Sequence, residues 1–377
     1  MKLLTVHDKK ELAWFSLTPG PSPKMERGVP LVFKRHCLSN IYKCIFENGC
    51  VPSPVGEALG WGVKFSKKYF CRVLRLTLIF ILLAGVTQAQ TCSCAGTPLT
   101  NSLGVGTVTT TDWQVQLAYD YHRIADLVSG TEELERGRNL RATHSVLLQL
   151  SRRLGKRWQL TLLTSWVRQT FETTNTLSGS GLGDMMLIGQ YRLLRARKTY
   201  LYLSGGIKLP TGSTTEKENN LLLSPDLQPG TGSWDAMASL LWFQNRIFED
   251  FLDIQTSLTY RKTTATQRFD NTQSYRFGDE LLLQSVFGEM FATPVGFVMP
   301  FFLTRFRHTR PDTRNGDTAF NTGGTWFNLG TGLNWQFTPG FGMQLTGVLP
   351  VYRHLNGTQL TSSYRLNIAL TLNLKKS

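Results

Sequence analysis

The sequence predicts an all-β fold: a transmembrane antiparallel β-barrel of about 12 strands, preceded by an N-terminal signal peptide. Three observations carry that prediction. From Trp113 onward the chain divides into segments of about ten residues in which apolar side chains alternate with polar or small ones. Such alternation suits a wall with lipid on one face and water on the other. The connections between segments are long and polar after odd-numbered segments and short after even-numbered ones, as outer loops and periplasmic turns require. A basic, then apolar, then small-residue series stands upstream, as in a secretory signal.

The chain has 377 residues, and the signal series begins at about Val63. Lys64, Lys67, Lys68, Arg72 and Arg75 form its basic region, Leu76 to Val86 its apolar core, and Thr87-Gln88-Ala89 its cleavage site. The apolar core is too short to span a bilayer as a helix, which takes about 20 residues. The expected organisation is therefore a signal peptide at 63–89, a short periplasmic segment at 90–111 and the barrel at 112–377. Residues 1–62 are Pro/Gly-rich without sustained periodicity and are read as a non-native upstream extension or disordered chain. No Met lies between Met25 and Met185, so a start near Val63 would use another codon.

The first strand runs from Trp113 to Arg123 and sets Val115, Leu117, Tyr119 and Tyr121 against Gln114, Gln116, Asp120 and His122. The second, about 142–152, alternates Val146, Leu148 and Leu150 with Ser145, Gln149 and Ser151. The third spans Trp158 to Phe171. The fourth and fifth form a hairpin about Arg195–Lys198, with Met185, Leu187, Tyr191 and Leu193 opposite Asp184, Gln190 and Arg192. In the fifth, Leu201, Leu203, Ile207 and Leu209 oppose Ser204 and Lys208. The sixth, Asp235 to Phe243, is less regular. The seventh sets Leu252, Ile254, Leu258 and Tyr260 against Asp253, Gln255 and Ser257.

The eighth (about 278–289) and ninth (about 297–308) are messier, and Pro300 removes one ladder donor. The tenth opposes Phe327, Leu329, Leu333 and Trp335 to Asn328, Gly330 and Asn334. The eleventh is Met343 to Tyr352, and the twelfth sets Leu366, Ile368, Leu370, Leu372 and Leu374 against Arg365, Asn367, Thr371 and Asn373. Long connections are expected at 124–140, 172–182, 211–233, 261–276, 309–325 and 353–363. Loop 211–233 is the longest and a candidate to fold inward as a constriction. Trp113, Tyr121, Trp158, Trp166, Tyr191, Trp242, Tyr260 and Trp335 fall near strand ends, where aromatic rings suit the two membrane interfaces.

The formal charge of +15 points first to nucleic acid, but its distribution argues otherwise. Residues 1–89 hold 13 Lys/Arg and 5 Asp/Glu, and the rest of the chain holds 28 against 21, a balance of only +7. No nucleic-acid partner is expected. Four of the six cysteines precede the cleavage site, leaving Cys92 and Cys94. As a lone C-x-C pair these are weak metal candidates, since most tight sites need three or four ligands. No metal or other cofactor is expected.

An enzyme would need a constellation that the sequence does not offer. His144 and Ser145 are adjacent, so the period of two sends them to opposite faces. Gly179-Ser-Gly-Leu-Gly-Asp184 lacks the Lys-Ser/Thr and following helix of a phosphate loop; its glycines are expected to end an outer loop and bend the chain into a strand. The candidate functional residues are the charges that should face the lumen: Asp184, Arg192, Lys208, Arg305 and Arg307. Mutual ion pairing that stiffens the interior is weighed equally with ligand contact. Met186, Ile188, Phe301 and Leu303 at inward positions hint at a greasy passage.

Gly-Leu-Gly-Asp (181–184), Gly-Gln-Tyr-Arg-Leu (189–193) and Gly-Ile-Lys-Leu-Pro-Thr-Gly (206–212) resemble the outer-membrane protein family named after the meta-pathway of phenol degradation, MetA-like barrels. Leu227-Gln-Pro-Gly-Thr-Gly-Ser-Trp234, Leu349-Pro-Val-Tyr352 and Asn356-Gly-Thr-Gln-Leu360 look like further pieces of its pattern, and the resemblance covers roughly Trp113 to Leu374. It implies a bacterial outer-membrane location and a passive channel for small, hydrophobic or aromatic solutes. Its partners would be outer-membrane lipid, that solute and the barrel-assembly machinery. The alternative is a structural or surface-interaction barrel with a closed lumen, acting through its extracellular loops.

Overall fold

A computed structural model describes residues 112–135, 139–172, 176–247, 251–269 and 273–374. The expected signal peptide, the upstream extension, the 90–111 segment and Cys92 and Cys94 lie outside the described residues. Twelve long strands make the barrel: β1 (Trp113–Ser129), β2 (Leu140–Leu154), β3 (Trp158–Glu172), β4 (Met185–Ala196), β5 (Thr199–Leu209) and β6 (Asp235–Gln244). They continue as β7 (Asp253–Thr263), β8 (Glu280–Gly288), β9 (Gly296–Thr309), β10 (Gly324–Thr338), β11 (Phe341–Leu355) and β12 (Thr358–Leu374). Each pairs antiparallel with its neighbours in sequence, and β12 returns to β1 from Trp113↔Leu374 to Ser129↔Thr358. The closure removes every edge and satisfies the backbone within the wall, a condition that hydrocarbon imposes.

The alternation read from the sequence is the alternation of the wall. On β12, Leu366, Ile368, Leu370, Leu372 and Leu374 are exposed, while Arg365 and Ala369 are buried. Leu117, Val146, Leu148, Leu203, Leu258, Leu283 and Leu345 continue this exposed belt around the barrel. No soluble monomer keeps a continuous apolar girdle of this extent in water, so the belt is the lipid-facing surface of an outer-membrane barrel. Trp113, Trp158, Trp242 and Trp335 mark the end of the short turns, where the Trp158 ring lies 4.8 Å from Tyr191 and Trp335 lies 4.3 Å from Phe337. Tyr121, beside Tyr364 at 5.9 Å, and Tyr260 lie toward the loop end.

The structure changes the connections at the loop end. The strands run past the membrane there, so the expected long connection 353–363 is only Asn356 and Gly357 between β11 and β12. Leu127–Ser129 likewise pairs with Glu132–Leu134, and Thr176–Leu182 pairs with the upper half of β3. Above β7–β9, Thr266–Phe269, Gln273–Arg276, Thr313–Arg314 and Asp317–Thr318 form a separate four-stranded sheet. Its last hairpin turns on Asn315 (φ 53°) and Gly316 (φ 93°), as a two-residue Asn-Gly turn should. Pro300 sits in β9 where neither β8 nor the short strand Phe291–Thr293 pairs with it, so its missing N–H costs little.

Candidate functional site in the barrel interior

Inward positions divide into polar, apolar and charged zones. Near the short-turn end the lining is amide and hydroxyl: Gln114 bonds Asn373 at 3.0 Å, Gln116 bonds Thr371 at 3.2 Å and Ser151 bonds Thr161 at 3.0 Å. Above it lie two apolar clusters. One joins Ala118, Leu147, Leu163, Met186, Ile188, Met237 and Ala369; the other joins Val286, Phe301, Leu303 and Val348. Gly330 and Gly332 of β10 face Leu303 and Phe301, where an added Cβ would collide with the aliphatic chain or the ring. The four inward apolar residues expected from sequence, Met186, Ile188, Phe301 and Leu303, all lie in these clusters.

Toward the loop end the interior carries a chain of alternating charges. Lys208 Nζ lies 2.8 Å from Asp184 and 3.2 Å from Asp235. Arg261 follows at 3.7 Å from Asp235 and 3.3 Å from Glu280, and Arg307 closes the row at 2.9 Å from Glu280. Arg305 donates to Gln284 at 2.8 Å, and Arg365 grips Asp120 at 2.8 Å. All these side chains are buried, and register explains why they meet: Lys208 faces Asp235 across β5–β6, and Arg261 faces Glu280 across β7–β8. Alternation of sign lets such a row exist away from bulk water, where an isolated charge would be prohibitive.

Of the five charges expected to face the lumen, four join this zone: Asp184 and Lys208 pair directly, and Arg307 and Arg305 stand two residues apart on β9. Arg192 stands away from them, half-buried opposite Tyr202 in the lower part of β4. Sequence reasoning did not single out Asp120, Arg141, Asp235, Arg261, Glu280, Arg353 or Arg365. The sequence pattern makes Arg261 and Arg353 the first residues of loops, because the strand pattern becomes polar once the wall rises beyond lipid. His144 and Ser145 do part to opposite faces: Ser145 is buried inward, and His144 meets Tyr119 Oη at 2.8 Å outside.

The segment between β5 and β6 folds against this interior. Asp226, in the short 3-10 turn Pro225–Leu227, lies 2.5 Å from Arg141, an inward residue of β2. Inward Gln169 of β3 donates to the Gln228 carbonyl at 2.9 Å. Thr231 donates its amide to Asp184 at 3.1 Å and its hydroxyl at 2.6 Å; Gly212 N adds a third bond at 3.1 Å, and Lys208 also bonds Thr231. Leu223, Leu227, Gln228, Thr231 and Ser233 are buried. Burial by itself would raise the Asp226 carboxyl, but the Arg141 charge and hydrogen bonds outweigh it and hold the group below its ordinary value.

The close approach of this segment accounts for the glycines. A Cβ on Gly179 would stand 2.8 Å from the Leu227 carbonyl oxygen, and one on Gly230 would stand 2.6 Å from Gly212 Cα. The stretches 179–184, 206–212 and 227–234, far apart in sequence, are thus one structural unit. Asp184 is its hub, because its two oxygens serve an ammonium, a hydroxyl and two backbone amides. Among the described residues no group of three His, Cys, Asp or Glu side chains is placed to hold a metal ion.

Comparison with known proteins agrees with this architecture. A model of the family described as "Putative MetA-pathway of phenol degradation" matches residues 154–353. An outer membrane channel from Pseudomonas putida F1 superimposes with a TM-score of 0.59 at 13% identity, over 71% of this chain and 98% of that one. The β domain of the Bordetella autotransporter BrkA gives a TM-score of 0.43 at 11% identity, over 70% of this chain and 100% of that one. The porin NanC gives 0.40 at 10% identity, over 69% of this chain and 100% of that one. No curated protein matches the sequence.

Proposed function

This chain belongs to the MetA-pathway family of phenol degradation, and on that premise we propose that it is an outer-membrane channel through which small hydrophobic or aromatic solutes diffuse passively. The observation that carries the proposal is the order of the lining. A solute entering from outside would pass the charged row at Lys208–Arg307, then the apolar faces of Phe301, Leu303, Met186 and Ile188, then a polar vestibule. Apolar inward faces offer a small aromatic ring the burial that water denies it, while the neighbouring guanidinium and amide groups orient a hydroxyl. The 223–233 segment, held by hydrogen bonds and ion pairs, would act as the gate over this path.

A second reading has its own support. Leu303, Met186, Leu163 and Lys208 are at most 1% exposed, which suits an interior that is filled and a barrel that works through its outer surface. Purified protein in planar bilayers and solute-loaded liposomes separates the two. The channel reading expects ion conductance and uptake of small aromatic solutes in excess of protein-free liposomes. A barrel that neither conducts nor admits any solute overturns it.

A further inference from the structure

We propose that the outer rim of β7–β9 carries a binding site for a phosphate group of the outer-leaflet glycolipid, built from Lys262, Arg276 and Arg310 around the buried carboxylate of Asp279. Asp279 is contacted by Lys262 at 2.8 Å, Arg276 at 2.7 Å and Arg310 at 3.8 Å. One carboxylate against three cations leaves the cluster with a charge of +2. Asp279 itself is 1% exposed because the three cations and Thr263 cover it, whereas Lys262 and Arg310 are 53% and 70% exposed. The carboxylate organises the cations and the cations present their charge outward.

Position identifies the ligand. Lys262 follows Leu258 and Tyr260 on the lipid-facing side of β7, and Tyr260 Oη reaches Asp279 at 3.4 Å. Two residues along a strand is about 7 Å, so the cations sit just above the aromatic level that marks the end of hydrocarbon. Arg310 follows outward His308 on β9 and donates its amide to the Asp279 carbonyl at 2.9 Å. A cation cluster that faces sideways at headgroup height, not up into the medium, meets lipid phosphates. Asp312, two residues beyond Arg310, accepts from Tyr275 Oη at 2.6 Å and Gly278 N at 2.7 Å, so its oxygens serve those neutral donors and not the three cations. The arrangement also holds Arg276 by its Nε–H on the Thr263 carbonyl at 3.2 Å, so the site is built before any ligand arrives.

The test uses the full folded barrel in detergent, with bisphosphorylated lipid A, the same lipid stripped of phosphate, and inorganic phosphate as probes, read by native mass spectrometry. Lys262→Gln combined with Arg310→Gln should weaken lipid A binding by about tenfold or more, the loss expected for two interfacial cations. Binding of the phosphate-free lipid should be unchanged. Arg310→Gln alone, at the most exposed of the three positions, gives a smaller loss in the same direction and covers the case where the double variant does not fold. Equal lipid A binding by wild type and variants would overturn the proposal, as would inorganic phosphate that binds as tightly as the lipid.

Discussion

Replacing Asp184 by Ala tests whether the 223–233 segment is latched. The substitution takes the acceptor from two backbone donors, Gly212 N and Thr231 N, each at 3.1 Å. A buried donor left without an acceptor costs about 1–3 kcal/mol, so the two together cost about 2–6 kcal/mol. Lys208 is not stranded, because Asp235 remains 3.2 Å away; the ~3–5 kcal/mol penalty of an orphaned buried charge does not apply. The strand ladders are untouched, so the loss should fall on the segment and not on the barrel. Hydrogen exchange read by mass spectrometry on the lipid-embedded protein measures this directly. Amides in 223–233 should exchange at least about thirtyfold faster, the equivalent of ~2 kcal/mol, while those of β1, β2 and β12 hold their protection. Unchanged exchange in 223–233, or a rise spread evenly over the strands, would refute the latch.

Lys208→Met should also be costly, since it takes the only ion-pair partner of the buried Asp184 among the described residues, while Asp235 keeps Arg261 at 3.7 Å; a loss of about 3–5 kcal/mol in urea titrations of lipid-folded protein is expected, and a loss under ~1 kcal/mol would contradict the buried row. Ile368→Arg on the lipid face of β12 should cost about 2–4 kcal/mol, while Thr371→Arg on the inward face should cost less because the polar vestibule can solvate it; equal costs would argue against a lipid-facing belt. Asp279 has a depressed carboxyl: burial pushes it up, but Lys262, the Thr263 amide and Arg276 together hold it well below the usual range. Its contribution to stability is therefore complete above the unfolded value near ~3.9 and declines as the pH falls below it. Unfolding midpoints of wild type should drop between pH 5 and pH 3 more than those of Asp279→Asn, and parallel curves would remove the role given to Asp279. For topology, Asp317→Cys should react with an impermeant maleimide on intact cells and Lys156→Cys should not; the reverse pattern would invert the barrel.

Much of the wall was legible because a membrane barrel repeats one physical constraint at every strand. Lipid demands apolar side chains at every second residue, so Leu366, Ile368, Leu370 and Leu372 announce both a strand and its outward face. The signal weakens where lipid ends. Leu127–Ser129, Arg353–Leu355 and Thr358–Tyr364 continue as strands, yet their outward side chains need not be apolar, and the sequence there reads as loop. The interior was legible only in part. Asp184, Lys208, Arg305 and Arg307 are charges within apolar segments and stand out. Asp235, Arg261 and Glu280 lie at strand ends, where charge is ordinary, and only the register across β5–β8 shows that they continue the same row. Local pattern makes the glycines of 179–184 a bend in the chain, whereas Gly179 makes room for Leu223 and Leu227 and Gly181 for Pro229, long-range contacts that local pattern does not encode.

The most direct test of the account is solute uptake by liposomes carrying wild-type protein or Asp184→Ala, with small phenolic compounds set against sugar alcohols of similar size. The account predicts that wild type admits the phenolic compounds in preference to the sugar alcohols, and that releasing the 223–233 segment raises the rate for both classes. Failure of either protein to admit any solute, with both shown to be folded in the membrane, would contradict a channel and leave a closed barrel that acts through its outer loops.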